Sequence, residues 1–426
     1  PTSVGNDALG RDVAAFMAFL HGRGYADMAG FLRKEVDTKA LLTYLNGWSE
    51  TPAFMANRQA FDFVDNHFYW DHPSFLGQSW GLPSKGWSGG GSATAAGGAG
   101  PDAVSMTRLY GKPFTVSEWD YVYPNPYRAE GGLIMGAVSS LQDWDAIWRF
   151  AYSHGRDSVI APRPADYFNM AQDPLRQASE RVGLLLFLRG DVSAAPSVQS
   201  SNVSAKQLTE PNQPVFLFLR AQDSILRSQM GVRLTDDAPK PKLKEGQITV
   251  SSGRDVGTRK QYESSSYDQK INVDKEAGRF VAATDRTISL TLDAGGTWKN
   301  DTATFATKEA RAAITATSLD DKPVRSSKRL LITHLTDLQN TGATFATSDK
   351  LVLEKWGELP YLVRCGSATV TLTRPDAAKL KAWRLDTTGK RVAPLAVKAT
   401  KTGATLELST LAPDGSATLY YEVVAP

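Results

Sequence analysis

The sequence predicts an α/β unit with a parallel sheet over residues 1–190, followed by an antiparallel β-sandwich over residues 191–426. Three observations carry that fold class. Up to about residue 190, helical periodicity alternates with short β-branched and aromatic runs, the order that places helices outside a parallel sheet. Beyond it the chain breaks into short period-two runs separated by Gly, Asp, Asn and Pro, as antiparallel sandwiches do. Finally, successive strand ends in the first part deliver polar and aromatic side chains in clusters, where the loops of parallel α/β folds carry chemistry.

Composition sets the outer limits. The 426 residues, 42% hydrophobic and 22% charged, are ordinary for a globular chain and enough for two or three domains. A net charge of +3 is small for this length, so nucleic acid and anionic membranes are not indicated as partners. Cys365 is the one cysteine, which excludes an internal disulfide and a Cys-based zinc site. No run of 18 apolar residues is present, so no membrane span is expected. The chain opens at Pro1 without a secretory leader, which reads as a processed or truncated start.

Taken in order, residues 11–35 carry Phe16, Phe19, Leu20, Met28, Phe31 and Leu32 at helical spacing, with Gly22 and Gly24 as points of interruption. Residues 39–45 read as a buried strand ending at Asn46 and Trp48. A short helix over 53–60 leads to a strand over 61–65, which ends at His67, Tyr69, Trp70, Asp71 and His72. Residues 84–101 are rich in Gly, Ser and Ala and predict a flexible excursion over the mouth of the sheet. A phosphate-binding loop is excluded there, because no strand leads in, no helix follows directly and the GxxxxGK[ST] spacing is absent. Residues 113–117 form the next buried strand, followed by Glu118, Trp119, Asp120, Tyr121 and Tyr123. A helix over 127–141, a strand over 144–154 ending at Tyr152 and His154, and a helix over 174–188 complete the unit. The later period-two runs fall at 247–251, 287–292, 312–317, 329–333, 368–372, 405–408 and 417–423, with one helix expected over 216–230.

Glu118 is the residue around which a function can be built. A carboxylate at the mouth of a parallel sheet suits an oxocarbenium-like centre, and aromatic rings beside it suit the apolar faces of sugars. Read alone, it could equally be a strand-end glutamate paired with a surface lysine. His67 and His72 could be structural, bonding loop carbonyls. His67, Asp71 and His72 together could hold a metal, but residues 67 and 72 have no regular spacing that points them at one ion. The joint placement of these groups at one end of successive strands favours a site, and that site requires neither cofactor nor metal.

The segments FDFVDNHFYWDHP, GKPFTVSEWDYVYPN and LQDWDAIWRFAYSH resemble the sixth, seventh and eighth strands of a (β/α)8 TIM-type barrel glycoside hydrolase of the cellulase-like, two-glutamate superfamily. The resemblance covers about residues 10–190 and implies the later strands of an α/β barrel. It implies Glu118 as the catalytic nucleophile, His67 and Tyr69 as residues that position sugar and nucleophile, and Tyr152 near an aromatic platform; the strand-end clusters add Asn46, Trp48, Trp119 and Tyr121 as substrate-binding candidates. It further implies a retaining mechanism on a β-linked poly- or oligosaccharide, and a secreted, periplasmic or cell-surface bacterial protein. Residues 39–48 resemble the fifth strand, so the first four strands and their acid/base glutamate have no counterpart. The resemblance therefore implies a complementary N-terminal polypeptide as partner, with Glu50 as the one nearby substitute acid and Glu130 a first-turn helix residue. Three later segments (INVDKEAGRFV, SSKRLLITHLTDLQNTGATF and WGELPYLV) resemble the β-rich region that accompanies some bacterial barrel hydrolases. The alternative function is a non-catalytic carbohydrate-binding or scaffold protein that keeps the aromatic cleft and lacks the acid.

Overall fold

The computed structural model describes residues 8–44, 46, 52–86, 91–97, 100–204, 224–234, 249–251, 261–263 and 270–426. Helix α1 (Ala8–Lys34) runs unbroken through both glycines. It ends where Arg33 turns back, donating to the carbonyls of Thr38 (2.6 Å) and Ala40 (2.7 Å) and pairing with Asp62 (2.7 Å). After α2 (Pro52–Asn57) come β1 (Val64–Tyr69), β2 (Pro73–Phe75), β3 (Ser84–Gly86), α3 (Pro101–Ser105) and β4 (Phe114–Asp120). Then follow α4 (Glu130–Leu141), β5 (Ala146–Arg149), α5 (Asp157–Ile160) and α6 (Pro174–Phe187).

β1, β4 and β5 form a parallel sheet in the order β1-β4-β5. Helix α4 is the crossover from β4 to β5 and is buried along almost its whole length, because α6 covers its outer side. The two helices approach closely through small residues: a Cβ on Gly132 would lie 1.9 Å from the Ser179 carbonyl, and one on Gly136 would lie 2.6 Å from Gly183 Cα. Asp173 caps α6, accepting from the backbone N–H groups of Leu175 (3.1 Å) and Arg176 (3.2 Å), with Pro174 at the first helical position.

The barrel expectation is overturned. A barrel closes only when every strand is paired on both sides. Among the described strands, β1 and β5 each pair with β4 alone, so the sheet is open, and the molecule is mostly strand distributed over several sheets. Residues 39–44 form no strand, and Leu42 and Thr43 bond residues 62–63 without a ladder among the described residues. The strand expected over 144–154 is four residues long. The described residues of 84–101 (84–86, 91–97, 100 and 101) are not a free excursion either. Three of them form β3, Ala93 and Thr94 are buried, and Thr94 donates through both N–H and hydroxyl to Glu130 (3.0 Å each).

β6 (Ser197–Val203), β7 (Ser228–Leu234) and β8 (Thr249–Ser251) make a second parallel sheet, ordered β7-β6-β8. The expected helix over 216–230 therefore gives way to a strand from residue 228, and residues 216–223 lie outside the described residues. The C-terminal strands build a nine-stranded and a five-stranded antiparallel sheet, which share a core that includes Leu290, Phe305, Ile314, Val370 and Leu406. The core beneath the first parallel sheet reaches on through Val232 and Ile271 to Phe280 and Ala282. Among the described residues no helix is long and apolar enough to cross a membrane.

Candidate functional site

Strand register assembles the site. Along β1, Asp65, His67 and Tyr69 alternate onto one face. On β4, Thr115 lies beside Asp65 and Glu118 beside His67, with the register shifted between Asn66 and His67. One residue, Ser117, is therefore extra on β4. The pairing of β4 with β5 breaks across the same two residues, 117 and 118. A bulge re-aims side chains that strict alternation would send to opposite faces. Here it lets consecutive residues, Ser117 and Glu118, both reach His67.

The contacts follow from that register. Tyr69 Oη donates to Glu118 Oε2 at 2.5 Å, and His67 Nδ1 lies 3.5 Å from the same oxygen. His67 Nε2 lies 2.8 Å from Ser117 Oγ. Asp65 is buried beneath them and accepts from the hydroxyls of Thr115 and Ser117 (the latter at 2.5 Å) and from Ser117 N–H (3.0 Å). Donor counting then selects the tautomer of the neutral imidazole. The Ser117 proton is committed to Asp65, so the Ser117 oxygen accepts from His67, and the ring proton sits on Nε2. Burial, and then the hydrogen bond from its hydroxyl to Glu118, push the Tyr69 phenol well above its ordinary pKa, so it remains a proton donor. Glu118 Oε1 takes no hydrogen bond from the described residues, and the side chain is about a third exposed.

Aromatic rings surround the tyrosine that holds this carboxylate. Tyr69 meets Phe168 at 5.4 Å, His72 at 5.6 Å and Phe150 at 6.2 Å between centroids, all edge-on. His67, Tyr69 and Glu118 are thus brought together. Tyr152 is exposed on the segment after β5, and Asn46 is exposed at the end of the 39–46 segment. Trp119 is buried under the Arg149 guanidinium, 4.8 Å from its ring, and Tyr121 is fully buried against Phe68. Neither ring offers a face to a ligand, because the residues after Glu118 turn back into the core. Trp48 lies outside the described residues. Asp65 was legible as the third member of the alternation with His67 and Tyr69. Ser117 carries no signal of its own, since its role depends on a bulge.

The neighbouring carboxylates are occupied. Asp120 is fully buried between Arg149 (2.7 Å) and Arg176 (2.6 Å). Glu130 stands in the first turn of α4, as the sequence implies, and is buried there, taking Ser92, Thr94 and the Arg311 guanidinium (2.7 Å). Glu50 lies outside the described residues. Among the described residues no three His, Cys, Asp or Glu side chains are grouped to hold a metal ion. Comparison with protein-family models and with curated proteins finds no match to this sequence.

Proposed function

We propose that the chain is a glycoside hydrolase acting on a β-linked oligo- or polysaccharide by retaining double displacement, with Glu118 as nucleophile. The observation that supports this best is the division of labour between the two oxygens of Glu118. Oε2 is pinned by Tyr69, while Oε1 takes no hydrogen bond from the described residues and the side chain keeps about a third of its surface exposed. In the first step Oε1 attacks the anomeric carbon, the bond to the leaving oxygen breaks, and that oxygen takes a proton from a general acid. Water then cleaves the glycosyl ester and restores the carboxylate. Tyr69 keeps Oε2 from competing as the attacking atom. The acid of a retaining pair stands about 5–5.5 Å from the nucleophile.

A second reading is favoured by one observation: Asp65 and Asp120, the described carboxylates nearest in the sheet, are each saturated by donors and neither is free to act as that acid. On this reading the chain binds carbohydrate without cleaving it. We also propose that a further polypeptide covers α1, which exposes Phe16, Phe19, Met28 and Phe31, and the edge of β1 that no described strand pairs with.

The test is to treat the protein with 2-deoxy-2-fluoro β-glycosides of the gluco, manno, xylo and galacto series and to locate the label by mass spectrometry. The hydrolase reading expects one label, on Glu118, and a fall of several orders of magnitude in turnover for Glu118→Gln with little change in KM. Glycan binding with no label and no turnover would favour the second reading. A label on another carboxylate would remove Glu118 from its role.

A further inference from the structure

Trp80 stands at the tip of the β2–β3 hairpin, more than half exposed, with φ +63°. A bulky side chain in the left-handed region is held there against its own backbone preference, and such outliers concentrate at functional positions. Glycine would take this turn at no cost. The turn itself is closed by the Gly81 N–H donating to the Gln78 carbonyl (2.9 Å), and the Leu76 N–H donates to the Pro83 carbonyl (3.0 Å). The hairpin is also fixed from outside, because β3 pairs with the strand Val352–Lys355 from the C-terminal half. The exposed indole is therefore a fixed feature.

Its ring continues the aromatic border of the site. Trp80 lies 5.0 Å from Phe75, 5.8 Å from His72 and 6.2 Å from Phe168. His72 and Phe168 are the same rings that meet Tyr69, the donor to Glu118. One ring separates the exposed indole from the residue that holds the carboxylate. Resting on the glycoside hydrolase reading, we propose that Trp80 is a sugar-binding platform. Its indole stacks on the apolar face of a sugar unit beyond the one bound at Glu118, so that hairpin 73–86 sets the preference for longer chains. An aromatic face suits the C–H face of a neutral pyranose, and the hairpin tip carries no charged residue between Leu76 and Pro83 that would select an ionic ligand.

The experiment uses the Glu118→Gln protein, which cannot turn over its ligand, and measures by calorimetry its affinity for β-linked gluco-, manno-, xylo- and galacto-oligosaccharides of two to six units. With Trp80 intact, affinity should rise with length for the series that binds. Trp80→Ala should reduce that rise by about three- to tenfold, and Trp80→Phe should restore part of it. Trp80→Gly relieves the backbone and keeps the fold, so it should lose the same increment while its Tm holds or increases. Affinities unchanged at every length when Trp80→Ala or Trp80→Gly is added, while the parent protein with Glu118 intact takes the fluoro-sugar label on that residue, would overturn the platform and leave the hydrolase reading standing. Absence of both binding and label would overturn the hydrolase reading and the platform with it.

Discussion

Asp65 has only lone pairs to offer, and three donors from β4 converge on it. Because Thr115 hydroxyl and Ser117 N–H both point at Oδ1, an asparagine in its place must set its carbonyl there and its NH2 toward Ser117. Ser117 Oγ would then accept from that NH2 group and release its own proton to His67 Nε2. Asp65→Asn is therefore expected to move the imidazole proton from Nε2 to Nδ1, the nitrogen facing Glu118. Imidazole 15N shifts, with His67 assigned by substitution among the five histidines, report this directly. An unchanged Nε2–H tautomer would show the proton accounting to be wrong. Tyr69→Phe removes the charge-assisted donor to Glu118 Oε2. If Glu118 is the nucleophile, kcat/KM should fall by about one to two orders of magnitude, from a bond worth roughly 1.5–3 kcal/mol.

At the scale of the elements, two helical glycines separate packing from propensity. Gly24 in α1 has nothing within 4 Å of a built Cβ, whereas a Cβ on Gly132 in α4 would collide with the Ser179 carbonyl of α6. Gly24→Ala should stabilise by about 0.5–1 kcal/mol, and Gly132→Ala should destabilise by at least about 1–3 kcal/mol by forcing the helices apart. Urea unfolding of the pair checks both signs. The same contrast explains what could be read from the sequence. α1, α4 and α6 are legible because long apolar periodicity persists whatever packs against it. The strand at 113–117 and the face shared by His67 and Tyr69 are legible because alternation is local. The number of strands in a sheet, the bulge at Ser117 and the inward turn of Trp119 and Tyr121 are set by partners distant in sequence, so they were not. The run over 216–230 is apolar without a decisive period, and pairing with β6 made its end a strand.

Across the whole molecule, buried charges tie the parallel sheet to the C-terminal half. Arg128 pairs with Asp173 (2.7 Å) and with Asp337 (3.2 Å), and Arg176 links Asp173 (3.0 Å) to Asp120. Burial alone would raise the Asp173 carboxyl, but Arg128 and Arg176 outweigh it and hold it down at about 2. Its folded pKa lies below the unfolded value near 4, so its contribution is complete above pH 4 and is lost as pH falls toward 2; it amounts to about 2 kcal/mol. His334 acts in a higher window. Both ring nitrogens are buried without a hydrogen-bond partner among the described residues, and burial lowers its pKa to about 4. The unfolded chain binds the proton first, so stability is complete above pH 6.5 and falls by about 3 kcal/mol as pH drops to 4. Acid unfolding should therefore proceed in two stages. His334→Leu, which leaves no ring to protonate, should flatten the first stage and preserve the second. Because the core beneath β1, β4 and β5 continues to Phe280 and Ala282, both stages should weaken the molecule as one cooperative unit. Calorimetric scans at pH 7, 5 and 3 should show a single transition whose Tm falls in each step for the parent, but only between pH 5 and 3 for His334→Leu. Two transitions separating with pH would instead mean that the halves unfold independently and that the buried charges do not couple them.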